Sequence, residues 1–350
     1  MSNIAIELND VWKIFGARAE EALKAVQSSA LSKAEMLNEF NCVLGVANAN
    51  MQIEAGEIFC VMGLSGSGKS TLVRHINRLL EPTAGSIHVN GVDVMAMNPQ
   101  ELRNYRNAHI AMVFQNFGLM PHRSVLDNIA MPLEIRGISK NQRLETAERC
   151  IDLVELGGWG NKFAHELSGG MQQRVGLARA LASDPEILLM DEPFSALDPL
   201  IRRQLQNQFM QLAAKMNKTT VFITHDLDEA VRIGAHIAIM RDGAVVQIGT
   251  PEEIVMQPAD DYVADFVAGI SRLKVVRAHA VMQPLDTFQS QNGSLSADAA
   301  EYASDTPLGM LITQAIDSDI PSAIIKDGKR VGVVTRSDLL RTVIEGTETS

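Results

Sequence analysis

The sequence is short of several things, and each shortage removes a class of protein. It holds only three cysteines, Cys42, Cys60 and Cys150. An odd number without metal or redox spacing supports neither a disulfide framework nor a zinc site, so they read as reduced packing residues. No apolar run approaches the roughly 20 residues of a membrane-spanning helix. The first ten residues lack the basic start and apolar core of a secretory signal, and the expectation is a cytoplasmic chain. Positive charge is in deficit, 31 Lys and Arg against 42 Asp and Glu for a formal net charge of −11. With no basic stripe, nucleic acid is not an expected partner.

What is present is room and apolar content. At 350 residues and 46% hydrophobic, the chain can build one large domain and a smaller one. Within it, Gly63-Leu64-Ser65-Gly66-Ser67-Gly68-Lys69-Ser70-Thr71 lies between an apolar run, residues 57–62, and a segment with Leu72, Val73, Ile76, Leu79 and Leu80 at helical spacing. That is the strand–loop–helix setting of a phosphate loop. Gly63, Gly66 and Gly68 free the backbone to curl its N–H groups around an anion, and the helix N-terminus adds partial positive charge. Lys69 is then placed for the β- and γ-phosphates and the Ser70 hydroxyl for Mg²⁺. The alternative is a Gly/Ser-rich surface loop, which has no need of Lys-Ser at this offset.

Two further stretches carry chemistry. Ile187-Leu188-Leu189-Met190 is a continuous apolar run, as a strand covered on both faces of a parallel sheet should be, and it delivers Asp191 and Glu192 at its carboxyl end, where α/β sites form. Asp191 suits a Mg²⁺ shell; Glu192 suits the polarising of an attacking water, because phosphoryl transfer needs a positioned acceptor and little covalent help. An acidic residue placed there only for solubility is the alternative, but it explains neither the Asp-Glu pair nor Pro193 and Ser195 to Asp198 directly after it. Leu167-Ser168-Gly169-Gly170-Met171-Gln172-Gln173-Arg174 precedes Val175, Ala178 and Leu181 on one helical face. It reads as a second helix N-terminus with exposed amides, suited to a second phosphate contact, or as a plain loop before a helix.

Taken in order, the phosphate loop, Gln115 after Ala111-Met112-Val113-Phe114, the stretch ending at Arg174, the Asp191-Glu192 pair with Ser195-Ala196-Leu197-Asp198, and His225 after the β-branched residues 219–224 resemble the ATPase subunit of an ATP-binding-cassette (ABC) transporter. The resemblance runs over residues 4–269. It implies an α/β P-loop cassette with a RecA-like core, an antiparallel β subdomain and a helical subdomain, using ATP and Mg²⁺. It implies catalytic roles for Glu192, His225 and Gln115, and a Mg²⁺ site of Ser70, Gln115 and Asp191. Phe15 matches the aromatic that stacks on adenine, with Trp12 as rival. Two subunits of such a protein pair head to tail. Each ATP then lies between residues 63–71 of one and Ser168, Gly169, Gly170 and Gln172 of the other, with Asp198 of the D-loop beside them. Only one phosphate loop is present, so the chain is expected to work as a homodimer. A permease in the inner membrane and a periplasmic or lipid-anchored binding protein complete the machine, with this chain peripheral on the cytoplasmic face.

Residues 17–50 narrow the resemblance. Most cassettes have a shorter connection here, whereas residues 17–40 have helical spacing, an insertion similar to that of the glycine betaine, proline betaine and choline uptake ATPases. An ordinary surface helix is the equal alternative. Turns are expected at Asn90-Gly91 and Asp242-Gly243, and helices within residues 121–153 and 201–216. Beyond residue 269, residues 286–304 read as a polar linker. Helix, strand, turn, strand and helix come next, ending in Thr335 and Asp338 of a stretch that resembles one copy of a cystathionine-β-synthase (CBS) motif, able to hold a ribose or phosphate or simply to stabilise a dimer. The function implied is ATP-driven import of a quaternary amine. The rivals are an amino-acid or other small-solute importer and a soluble, non-transport ABC ATPase, which would carry tandem cassettes or a long coiled coil.

Overall fold

A computed structural model of the protein describes residues 3–29, 31–115, 118–195, 197–296 and 298–345. The chain divides into two compact units, Met1–Ile248 and Gly249–Ser350. The first is built on a six-stranded sheet in the order Ala244–Gly249, His236–Arg241, Ile58–Met62, Thr219–Ile223, Ile187–Asp191, Ile110–Val113. Its central strands pair in parallel, and Ile187–Asp191 and Thr219–Ile223 are buried at every residue. This is why both read as unbroken apolar or β-branched runs instead of alternating ones.

A four-stranded antiparallel sheet, Val43–Glu54, Ile4–Phe15, Ala84–Val89 and Val92–Asp93, lies over the first. One core joins them. Ile6, Leu8, Val11 and Ile87 of the antiparallel sheet meet Val61, Leu189 and Val221 of the parallel one around Leu72, Val73 and Ile76 of the helix Lys69–Ile76. That helix ends earlier than the spacing through Leu80 implies, because Arg78 turns into the left-handed region at φ 53°. The helices Val125–Ile135, Lys140–Leu153 and Gly169–Ala182 pack on one another as a third layer. Both expected turns form.

The insertion is helical over only part of residues 17–50. It forms two helices, Ala19–Ser29 and Lys33–Phe40, and Val43–Glu54 is a strand of the antiparallel sheet, alternating buried and exposed residues along much of its length. Ser32 starts the second helix with a capping box, its hydroxyl accepting from Glu35 N at 3.3 Å while Glu35 Oε2 accepts from Ser32 N at 2.8 Å. Met36, Ala22, Cys42 and Ile14 make a small separate core under the pair.

In the second unit, strands Gln283–Pro284, Lys329–Val334, Ser322–Lys326 and Glu301–Ala303 form a sheet around Leu308, Leu311, Ile324 and Val334. Two expectations are corrected here. The division falls at residues 248/249, not 269: the helices Pro251–Met256 and Asp261–Val267 belong to this unit, with Met256 packed on its core. Residues 286–304 are not a linker. Leu285–Asn292 is a helix that buries Phe288, and Glu301–Ala303 pairs in parallel with Ser322–Lys326. The helices and strands expected beyond residue 304 are present. Among the described residues, no helix is long and apolar enough to cross a membrane.

Candidate nucleotide-binding and catalytic site

The loop after strand Ile58–Met62 needs its glycines for space as well as for conformation. Gly63 has φ 145° and a Cβ there would lie 2.2 Å from Met240 O; Gly68 has φ 104° and a Cβ would lie 2.3 Å from Gly45 O. The backbones of both sheets thus press directly on the loop, the six-stranded one at Gly63 and the antiparallel one at Gly68. Inside the curl, Lys69 Nζ donates to Gly63 O at 2.8 Å and Leu64 O at 3.0 Å. Its burial pushes the ammonium's pKa down, while Glu192 and Asp191 pull it up.

One turn into the helix, Ser70 and Arg74 share a face and both reach the same carboxylate. Ser70 Oγ donates to Asp191 Oδ1 at 2.8 Å and Arg74 Nη2 to Asp191 Oδ2 at 3.1 Å. Asp191 is buried at 2% exposure, and Arg74 is the cation paired with it there. Arg74 was not singled out from sequence; its spacing of four from Ser70 is the signal that finds it.

Glu192 follows in the left-handed region at φ 48°, an unusual conformation for a non-glycine residue, with its amide donating to Ile223 O at 3.1 Å. That turn swings its carboxylate over the sheet edge. There Gln115 Nε2 donates to Glu192 Oε2 at 3.1 Å, and His225 Nδ1 lies 3.3 Å from Glu192 Oε1. Two side chains far apart in sequence therefore converge on one acid.

Lys69, Ser70, Gln115, Glu192 and His225 line a cavity of about 590 Å³, together with Phe15, Val43, Leu44, Gly45, Ser65, Gly66, Gly68 and Thr71, and Asp191 stands behind Ser70. Phe15 is 39% exposed, with Lys13 Nζ 5.1 Å from its ring centroid. Its rival Trp12 packs instead on the small core of the insertion. The lining fits a nucleotide's phosphates and a divalent cation. The Ser67 hydroxyl is buried in the loop without a hydrogen-bond partner, the Lys69 ammonium meets only backbone carbonyls, and Ser70 and Asp191 present paired oxygens.

The remaining candidates lie outside that cavity's lining. Ser168 caps the helix Gly169–Ala182, its hydroxyl accepting from Met171 N at 3.3 Å. A Cβ on Gly169 would meet nothing within 4 Å, whereas one on Gly170 would lie 2.9 Å from Leu197 Cδ2. Gln172 is engaged within its own chain, Nε2 donating to Ala164 O at 2.8 Å. Asp198 is exposed and caps the helix Pro199–Met216 by accepting from Ile201 N at 3.1 Å. Ala196 of the D-loop and Phe117 beyond Gln115 lie outside the described residues.

Residues 46–195 match the ABC transporter family model. The chain is 42% identical to the glycine betaine/carnitine transport ATP-binding protein GbuA of Listeria monocytogenes, with 97% of each covered. It is 52% identical to the glycine betaine/proline betaine transport system ATP-binding protein ProV of Escherichia coli, over 79% of this chain and 68% of that one. The trimethylamine N-oxide transport system ATP-binding protein TmoW of Pelagibacter ubique is 41% identical over 98% of both. Among solved structures, a dimeric ATP-binding cassette in a post-hydrolysis state bound to ADP and Pi is similar over 70% of this chain and 98% of that one, at a TM-score of 0.60 and 31% identity.

Fold and site together define an ATP-hydrolysing subunit of an ABC transporter, coupling hydrolysis to transmembrane transport. Within that class, the chain belongs to the family of the glycine betaine and proline betaine transport ATP-binding proteins.

Proposed function

We propose that the chain energises uptake of a quaternary amine such as glycine betaine, proline betaine or choline. On this reading it is a homodimeric ATPase seated on a permease at the cytoplasmic face of the inner membrane, with a periplasmic or lipid-anchored protein capturing the solute. The observation that carries the hydrolytic part is the convergence of Gln115 and His225 on Glu192, across one cavity from Lys69 and the Ser70–Asp191 pair.

Within that cavity, residues 63–71 cradle the phosphates with backbone amides and Lys69, and Phe15 stacks on the adenine. Ser70, Gln115 and Asp191 hold Mg²⁺, which supplies neutralisation of charge on the phosphate oxygens. Glu192 accepts the proton of the attacking water, and His225 and Gln115 keep its carboxylate aimed. Ser168, Gly169, Gly170, Gln172 and Asp198 serve the nucleotide of the second subunit, since none of them lines the cavity of their own. Gln115 and residues 117–122 face the permease.

Glu192→Gln is expected to keep nucleotide binding and lower turnover at least about a hundredfold, the scale of losing a general base. Unchanged turnover in the purified chain would remove Glu192 from that role. The cargo is tested separately, by reconstituting the chain with the permease and binding protein encoded beside it and measuring ATPase stimulation by glycine betaine, choline, trimethylamine N-oxide and amino acids. Relatives naming trimethylamine N-oxide and choline make those arms informative. Stimulation by an amino acid alone would replace the quaternary amine with the rival reading.

A further inference from the structure

His225 is followed by Asp226, whose two carboxylate oxygens do different work. Oδ1 caps the helix Leu227–Ile233 by accepting from Glu229 N at 3.1 Å, and Oδ2 lies 3.3 Å from Arg202 Nη1. The other end of that guanidinium, Nη2, donates to Leu197 O at 3.2 Å and Ser195 O at 3.4 Å. Ser195 leads back to the catalytic turn, because its hydroxyl donates to Glu192 O at 3.1 Å. One side chain on the helix Pro199–Met216 therefore ties together the turn holding Glu192, the segment running to Asp198 and the turn carrying His225.

A second strut stands one turn along the same helix face. Gln206 Nε2 donates to Glu229 Oε1 at 2.8 Å, and the Thr224 hydroxyl donates to the carboxylate's other oxygen. Thr224 Oγ1 in turn accepts from Asp226 N at 3.0 Å. Gln206, Glu229 and Thr224 are all buried. Neither Arg202, Gln206 nor Glu229 lines the nucleotide cavity.

We propose that Arg202 is a positioning residue for ATP hydrolysis, locking the Asp198 segment and the His225 turn to one helix so that a displacement of the first is passed to the second and to Glu192. The inference rests on the reading of Glu192 and His225 as the hydrolytic pair. A planar fork that serves two carbonyls and a carboxylate at once is a task for arginine; a lysine ammonium keeps the charge but not the geometry.

The test uses the full-length chain and four variants: Arg202→Lys, Arg202→Met, Asp226→Asn and the Arg202→Met/Asp226→Asn double. Hydrolysis, affinity for a fluorescent ATP analogue and melting temperature are measured for each. Arg202→Lys is expected to lower kcat about tenfold, the scale of a small misplacement of catalytic groups, with nucleotide affinity and melting temperature unchanged. Because Asp226→Asn leaves the helix-capping oxygen in place and changes only the contact with Arg202, which Arg202→Met already removes, the double variant should lose no more than the worse single. Unchanged kcat in Arg202→Lys, losses that multiply in the double, or a kcat loss that follows a lowered melting temperature would each overturn the proposal. Should Arg202→Met not fold, Arg202→Lys and Asp226→Asn carry the test alone. Glu192→Gln separates the two levels: normal turnover there removes the underlying reading, whereas an inactive Glu192→Gln beside a normal Arg202→Lys removes only this inference.

Discussion

Two glycines of the phosphate loop differ in what a methyl group would meet, and that difference makes the loop's construction measurable. At Gly68 a Cβ collides with the Gly45 carbonyl, and Gly45 itself lines the cavity; at Gly66, with φ 77°, the space is open. Gly66→Ala therefore carries only conformational strain, about 1 kcal/mol or a little more, whereas Gly68→Ala adds a backbone displacement to strain of about 1–3 kcal/mol. Gly68→Ala should lower the melting temperature of the nucleotide-free chain distinctly more than Gly66→Ala does. Equal losses would mean that the sheet does not brace the loop. Glu192 is the converse case, a side-chain-bearing residue kept in the left-handed region where glycine would be easier, because its carboxylate is the part the site uses.

The helix Pro199–Met216 has an apolar anchor beyond the polar ones at Arg202 and Gln206. Phe209 is buried against Phe222 of the parallel sheet and Phe194 of the catalytic turn, with ring centroids 5.8 to 6.3 Å apart. Phe209→Ala is expected to cost about 3–5 kcal/mol. By loosening Phe194 it should also lower turnover in whatever fraction stays folded, as read by denaturant unfolding alongside hydrolysis at low temperature. A loss below about 1 kcal/mol, the range of a surface substitution, would show the trio is not a packed unit. Elements of this kind were legible where one local pattern decided them. Residues 187–191 and 219–223 announce fully buried strands, and the glycine spacing of residues 63–71 announces its loop. The joints were not legible. Arg202 looks like any exposed helical arginine until the loops it ties are placed beside it. Glu301–Ala303, with only Tyr302 half-buried, is a strand because Ser322–Lys326 offers it an edge, not because its own residues alternate in hydrophobicity.

At the scale of the molecule, each unit has its own core, and in the second the two side chains its sequence suggests for a ligand also start a helix. Thr335 and Asp338 form a capping box, Asp338 Oδ2 accepting from Thr335 N at 2.9 Å and Thr335 Oγ1 accepting from Asp338 N at 3.2 Å, while Gln283 Nε2 donates to Asp338 Oδ1 at 3.0 Å. Both side chains are thus occupied at the start of the helix Arg336–Glu345. In a chain whose phosphate loop is weakened by Lys69→Ala, adding Thr335→Ala or Asp338→Ala should leave the remaining adenine-nucleotide binding unchanged by calorimetry; a further loss of binding on either substitution would restore the C-terminal unit as a sensor. Thr335→Ala should instead destabilise that unit by about 1 kcal/mol, as loss of a helix cap does. The separation of the cavity from the N-terminus of the helix Gly169–Ala182 reaches further still. With the pairing proposed above, a solitary chain holds two unmatched halves, so turnover in dilute solution rises with the square of protein concentration. Docking two copies on one membrane partner raises their effective concentration to the order of millimolar. In that proposed assembly, chains adrift from the membrane idle by mass action alone, and hydrolysis is confined to the paired copies.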